Sequence, residues 1–389
     1  MDCFIAPLLA MTAQMRIDPV QLAADLIACP SVTPARGAVF HVLEASLSSI
    51  GFAVHRFTAG EPPDGPVENL FATRGSGGGP HLGFAGHLDV VPPGEGWTGD
   101  PFRPEIRGGL LYGRGVVDMK GGIAAFAAAC ALVPEHLGTL SLIITGDEEG
   151  PATYGTPALI DWMKEREIRP DMIVIGEPTS VDRLGDTVKI GRRGTVNLWI
   201  TVPGTQGHVA YPHRTDNPIP RLARILTALD ALHLDEGTDA FEASNLEFTA
   251  VDTPTRATNI VPGAATAQLN IRFNNLHRGE ELVELVRRTV VKLAPGATVE
   301  ARISGEAFLT PPGPLYGLVT DAIREETGIE PALSTSGGTS DGRFLIKLCP
   351  VVDFGLPNAT MHKLDEAAAV EDLQKLAAIY ARIIRRALG

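Results

Sequence analysis

Three short apolar runs in this chain, residues 82–85, 140–145 and 172–175, each stop at a glycine followed by acids or an imidazole. The first runs into Gly86-His87-Leu88-Asp89, the second into Gly146-Asp147-Glu148-Glu149-Gly150, the third into Gly176-Glu177-Pro178. Runs that are apolar on both faces suit the interior strands of a parallel sheet, whose two surfaces are covered by helices. The carboxyl ends of such strands form one rim, and ligands bind there. One feature therefore predicts both an α/β fold and the location of its site.

The surrounding pattern extends this reading. Asp18 and Pro19 open a helix that runs to Ile27, with Asp18 as N-cap and Pro19 at the first helical position. Residues 121–132 are nearly all Ala, Ile, Phe and Leu, a composition suited to a helix lying close on the sheet. From residue 194 the texture changes: 195–202 and 265–273 alternate polar and apolar, and 219–232 and 280–293 repeat apolar residues at helical spacing. A small α+β domain with helices on one face of its sheet is predicted. After residue 305 the α/β texture returns, with a helix at 315–326, a strand at 351–354 and a last helix at 370–387. The expectation is a mixed, mainly parallel sheet flanked by helices, formed by residues 1–193 and 305–389, with 194–304 inserted as a second domain. A length of 389 residues agrees with two domains.

Composition removes several classes of function. Lys and Arg total 33 against 46 for Asp and Glu, a net charge of −13, the wrong sign for gripping nucleic acid or an anionic membrane surface. The longest apolar run, 123–133, is too short to span a bilayer. Cys3, Cys29, Cys130 and Cys349 are far apart and read as reduced, mostly buried thiols. Residues 1–16 lack the basic start of a secretory signal, so the cytoplasm is the expected compartment. No complete dinucleotide fingerprint, phosphate loop, G-x-S-x-G elbow or H-E-x-x-H string is present.

The rim holds an unusual set of donors. His87, Glu148, Glu149 and Glu177 follow strands; Asp118 precedes the Ala-rich helix; His362 lies in Thr360-Met-His-Lys-Leu-Asp-Glu366 after strand 351–354. Singly, each has a bland explanation: a satisfied histidine beside an acid, a solvated Glu pair, or an N-cap at Asp118. Together they match a pair of divalent ions, which need a bridging ligand, terminal ligands and room for water. Imidazole mixed with carboxylate suits two Zn ions, with Co or Mn as substitutes. Asp89 is placed to hold the second nitrogen of His87. Neighbouring Glu148 and Glu149 point apart, so one can ligate while the other faces water as a base.

Several blocks carry a family resemblance. Gly86-His-Leu-Asp-Val-Val-Pro-Pro-Gly94, the stretch 113–122, Asp147-Glu-Glu-Gly150 and Gly176-Glu-Pro178 resemble the co-catalytic zinc aminoacylase and peptidase family, with its zinc-peptidase-like catalytic domain. Further blocks agree: 189–194, 206–213, 336–344 and 361–366. The resemblance implies a metal-dependent amide hydrolase. It gives His87 and Glu177 to one zinc and Glu149 and His362 to the other, with Asp118 bridging and a cis bond after it. It makes Glu148 the general base and lists Asp89 with the catalytic residues. His208, in an inserted dimerisation and lid domain, would reach the partner's site in a homodimer and stabilise the oxyanion. Arg192, Thr195, Tyr211, Asn259, Arg272, Gly338, Thr339 and Asn358 match positions that contact substrate; Thr195 stands where the family usually has Ser. The implied substrate is a small molecule with several carboxylates. Rival readings are deacylation of another N-acyl amino acid, dipeptide cleavage, and ligand binding without catalysis.

Overall fold

The computed structural model describes residues 16–75 and 77–389. Cys3 and the apolar stretch before Arg16 lie outside the described residues. The chain divides into two compact units: Ile190–Leu309 with Ser334–Arg343 forms one, and the remainder forms the other.

The larger unit is built on an eight-stranded mixed sheet. Its centre is parallel, in the order Thr139–Thr145, His81–His87, Met172–Ile175, Val351–Asp353. These are the strands expected from the apolar runs, and they are almost wholly buried. Antiparallel strands Ala53–Ala59 and Val67–Gly75 extend one side, and Thr187–Lys189 and Ala332–Ser334 the other. Helix Pro19–Ile27 starts as predicted, with the Asp18 carboxylate accepting from the Val20 N–H at 2.9 Å. Helix Gly121–Leu132 is buried on almost every side and packs against helix Val370–Leu388. Its alanines allow that approach. Phe84 stacks on Phe126 with ring centroids 4.1 Å apart, Tyr380 meets both edge-on, and its hydroxyl donates to the Phe354 carbonyl at 2.6 Å. This aromatic group lies directly below the rim.

The smaller unit is a four-stranded antiparallel sheet in the order Asn245–Asp252, Ala264–Phe273, Gly194–Pro203, Thr298–Gly305. Helices Ile219–Asp230 and Gly279–Leu293 pack on one face over Val196, Leu198, Ile200, Val202, Leu269 and Ile271. Fully burying each such side chain contributes about 1.5–3 kcal/mol. The alternate residue Trp199 remains 39% exposed on the other face. Segment Ser334–Arg343, assigned from sequence to the first domain, belongs to this unit. Ile190 donates to the Ser334 carbonyl at 3.0 Å and Arg192 to the Gly338 carbonyl at 3.1 Å, and these bonds outweigh its place in the chain. Among the described residues no helix is long and apolar enough to cross a membrane, and Cys29, Cys130 and Cys349 are free thiols, of which only Cys130 is fully buried.

Candidate metal centre

Glycines bring the rim together. A methyl group on Gly176 would lie 2.7 Å from the Met119 side chain, and one on Gly122 would lie 2.5 Å from the Gly176 carbonyl. Gly86 likewise leaves room for Met119. The start of the Ala-rich helix can therefore rest on the strand ends, which carries Asp118 to His87 and Glu177. Gly115, at φ +85°, supplies the left-handed residue that turns the chain into this segment. The Asp118–Met119 peptide is cis. Asp118 does not cap the helix, which begins at Gly121 without a side-chain cap.

The donor atoms converge. His87 Nε2 lies 3.1 Å from Asp118 Oδ1 and 3.7 Å from Glu177 Oε1. His362 Nε2 lies 3.1 Å from Asp118 Oδ2 and 2.8 Å from Glu149 Oε1. Asp118 thus offers one oxygen to each imidazole, the disposition of a bridging carboxylate. Ligand atoms of His87, Asp118 and Glu149 lie within 4.8 Å of one another, and so do those of His87, Glu148 and Glu177. Two imidazoles among four carboxylates form a donor set that fits one or two divalent cations. His87 is buried, whereas the His362 side chain is 42% exposed, so one flank is open to solvent.

Asp89 is used differently from the sequence reading. His87 Nδ1 pairs with the Asp89 backbone carbonyl at 2.9 Å, whereas the carboxylate stands at 3.5 Å, too far for a firm hydrogen bond. The carboxylate instead accepts from the Glu148 and Glu149 N–H groups at 3.1 and 3.0 Å. It holds the turn that presents both glutamates.

Titration follows from the crowding. Burial pushes the Glu177 carboxyl well above its usual range, and the nearby Asp118 charge adds to this. Burial also pushes Asp118 up, but pairing with His362 and His87 outweighs it and holds the carboxyl well below its usual range. Hydrogen bonds to Asp118 and Glu149 push His362 up to about 10. His87 is raised too: burial pulls it down, and Asp118 and Asp89 overcome that.

In the same unit, Asn358 is half-buried and donates its backbone N–H to Ser180 at 3.0 Å. Sequence reasoning missed Lys120, a buried ammonium that donates to the Leu26 and Cys29 carbonyls at 2.9 and 3.3 Å and anchors the Asp118 segment. Burial lowers its pKa to about 7.

The remaining substrate candidates belong to the smaller unit. Arg192 is buried and, through its bond to the Gly338 carbonyl, holds the loop that carries Thr339. The Thr195 hydroxyl accepts from the Asn270 amide at 3.0 Å, and Thr195 faces Arg272 across the strand pair. Burial lowers the Arg272 pKa, and the neighbouring Arg193 charge adds to this. His208 and Tyr211 are exposed, with ring centroids 5.8 Å apart, and His208 Nδ1 accepts from the Ala210 N–H at 3.1 Å. Asn259 lies beside them and accepts from the Val209 N–H at 3.1 Å.

A sequence model of peptidase family M20/M25/M40 matches residues 83–386. A succinyl-diaminopimelate desuccinylase from Rhizorhabdus wittichii is 66% identical over 96% of this chain and 99% of its own length. The enzyme of that name from Sphingopyxis alaskensis is 65% identical over 95% of this chain and 98% of its own. Among solved structures, the aminopeptidase PepT from Bacillus cereus superposes with TM-score 0.78 at 21% identity, covering 95% of this chain and 98% of that one. A dinuclear metal-binding M20 peptidase from Bacillus subtilis does so with TM-score 0.68 at 16% identity, covering 95% and 98%.

Proposed function

The chain belongs to peptidase family M20/M25/M40, and on that premise we propose that it is a metal-dependent amidohydrolase that cleaves N-succinyl-LL-2,6-diaminopimelate to succinate and LL-2,6-diaminopimelate, a step toward lysine. The single observation that carries the substrate is the 66% identity to a desuccinylase across nearly the whole chain. The donor set supports the chemistry.

In this reading His87 and Glu177 would hold one zinc and Glu149 and His362 the other, with Asp118 as the ligand they would share. When bound, such ions act as Lewis acids on the amide carbonyl and make water more acidic. Glu148 takes the proton of the attacking water and returns it to the departing amine. Asp89 fixes the turn from which Glu148 acts. His208 accepts the Ala210 N–H on Nδ1, so its neutral ring carries its proton on Nε2, a donor suited to the developing oxyanion. Arg192 and Arg272 suit bidentate binding of substrate carboxylates, with Thr195, Tyr211, Asn259, Gly338, Thr339 and Asn358 as further contacts. The smaller unit serves dimerisation and closure, with His208 acting in the partner's site of a cytoplasmic homodimer.

Purified protein should hydrolyse the succinylated substrate in preference to acetylornithine and to dipeptides, and preference for either of those would replace this assignment. A chelator should abolish turnover and Zn should restore it, with Co and Mn tested as substitutes. Mixing His208→Ala and Glu148→Ala chains should recover activity by forming one intact hybrid site; no recovery despite subunit exchange would exclude action across subunits.

A further inference from the structure

Glu366 is a fully buried acid outside the proposed ligand set. Its carboxylate accepts from four donors, all in one segment. Oε2 takes the Arg114 guanidinium at 2.7 Å and the Gly115 N–H at 3.1 Å; Oε1 takes the Val117 and Asp118 N–H groups at 2.8 and 3.3 Å. Its own carbonyl accepts from the Gly113 N–H at 3.0 Å. One side chain thus grips the backbone leading into Asp118. It is also four residues past His362, in a loop whose His362 and Asp365 both adopt positive φ, 60° and 52°. Such backbone is strained in residues other than glycine and persists only where surrounding contacts impose it. Asp365 is pinned by Thr98, whose N–H and hydroxyl donate to it at 2.9 and 2.7 Å. Glu366 is the second pin, and it ties the His362 loop to the Asp118 segment.

We propose that Glu366 is a positioning residue that sets the separation of Asp118 from His362 and so builds the second of the two cation sites. The inference rests on the two-metal reading above. All four partners of the carboxylate are donors, so an isosteric amide cannot replace it: the NH2 group of Gln must face either Arg114 and the Gly115 N–H or the N–H groups of Val117 and Asp118. His362 enters only the site shared with Glu149, whereas the other site keeps His87 and Glu177. Asp118 is shared by both sites and His362 enters only one, so a defect at Glu366 should weaken the Glu149–His362 site more than the other.

The test is zinc titration of chelator-stripped, full-length protein, followed by calorimetry and, with Co substituted, by the visible absorption of each site. Wild-type protein should bind two ions. Glu366→Gln should weaken one binding step 10- to 100-fold, in line with the loss of a group that orients a metal ligand, and weaken the other by distinctly less. If Glu366→Gln does not fold, Arg114→Lys, which keeps a cation but loses the fork, should weaken the same step. Two ions held as tightly by the variant as by the wild type would overturn the inference alone, and equal weakening of both steps would also overturn it by assigning a general structural role. Fewer than two ions in the wild type would overturn the two-metal reading and the inference with it.

Discussion

Asp89→Asn probes how the rim is held. The Asp89 carboxylate is fully buried and accepts two backbone N–H groups, from Glu148 and Glu149. Asparagine has the same shape but only one acceptor oxygen, so its NH2 meets one of those N–H groups donor to donor. A buried donor left without a partner costs about 1–3 kcal/mol, and exchanging a charged for a neutral acceptor at the other costs about 1 kcal/mol more. The expected loss is about 3 kcal/mol, which for a domain of this size lowers the melting midpoint by about 6–12 °C. His87 is bonded to the backbone carbonyl of Asp89, so that bond survives the substitution. Loss of zinc affinity, about 10- to 100-fold, should therefore arise through the Glu148–Glu149 turn and not through His87. Scanning calorimetry of the chelated protein and zinc titration of wild type and variant measure both quantities. A midpoint within about 1 °C of wild type with unaltered zinc binding would refute the argument that this carboxylate holds the turn.

Three other outcomes are expected. Saturating zinc should raise the melting midpoint of chelated protein, by about 2.7 kcal/mol of stability when free metal is 100 times its dissociation constant; no shift would contradict a native metal centre. In the smaller unit, burial pushes the Asp235 carboxyl up, but donation from Ser244, the Gly237 N–H and Asn274 outweighs it and holds the carboxyl below its usual range. Its contribution is present above the ordinary carboxylate pKa near 4 and lost as pH falls through the lower folded value. Asp235→Asn should thus destabilise by about 2 kcal/mol at neutral pH and progressively less below about pH 4 in urea titrations; a pH-independent difference would refute this. Gly194→Ala would drive a methyl into the ring of Phe273 and should cost about 1–3 kcal/mol by overpacking, whereas a neutral result in denaturant titration would show that the ring moves aside.

What could be read from the chain depended on where side chains find their partners. The central strands are apolar on both faces, and their runs were visible at once. Val67–Gly75 was not, because Glu68, Asn69, Thr73 and Arg74 interrupt it. The longest polar side chains there find partners at a distance: Glu68 takes Arg56 and the Gly37 N–H, the Asn69 amide donates to the Tyr154 carbonyl, and Arg74 donates to the Ile50, Cys130 and Val133 carbonyls. Asn245–Asp252 and Thr298–Gly305 are the outer strands of their sheet, largely exposed and polar, so they carry little hydrophobic signal. At the site, His87, Glu148, Glu149 and Glu177 were legible because each follows a buried strand. Glu366 and Lys120 were not, since their partners lie roughly 90 to 250 positions away in the chain and no local spacing records them. Asp89 was legible through its two-residue spacing from His87, but the partners of its carboxylate, Glu148 and Glu149, lie 59 and 60 positions away.

The donors that meet around Asp118 enter the chain at widely separated points, and His362 comes last, after the central strand Val351–Asp353. During synthesis the earlier groups leave the ribosome long before the residue that completes them. The cluster of donors is therefore complete only once His362 has emerged and the strand Val351–Asp353 has taken its place in the sheet.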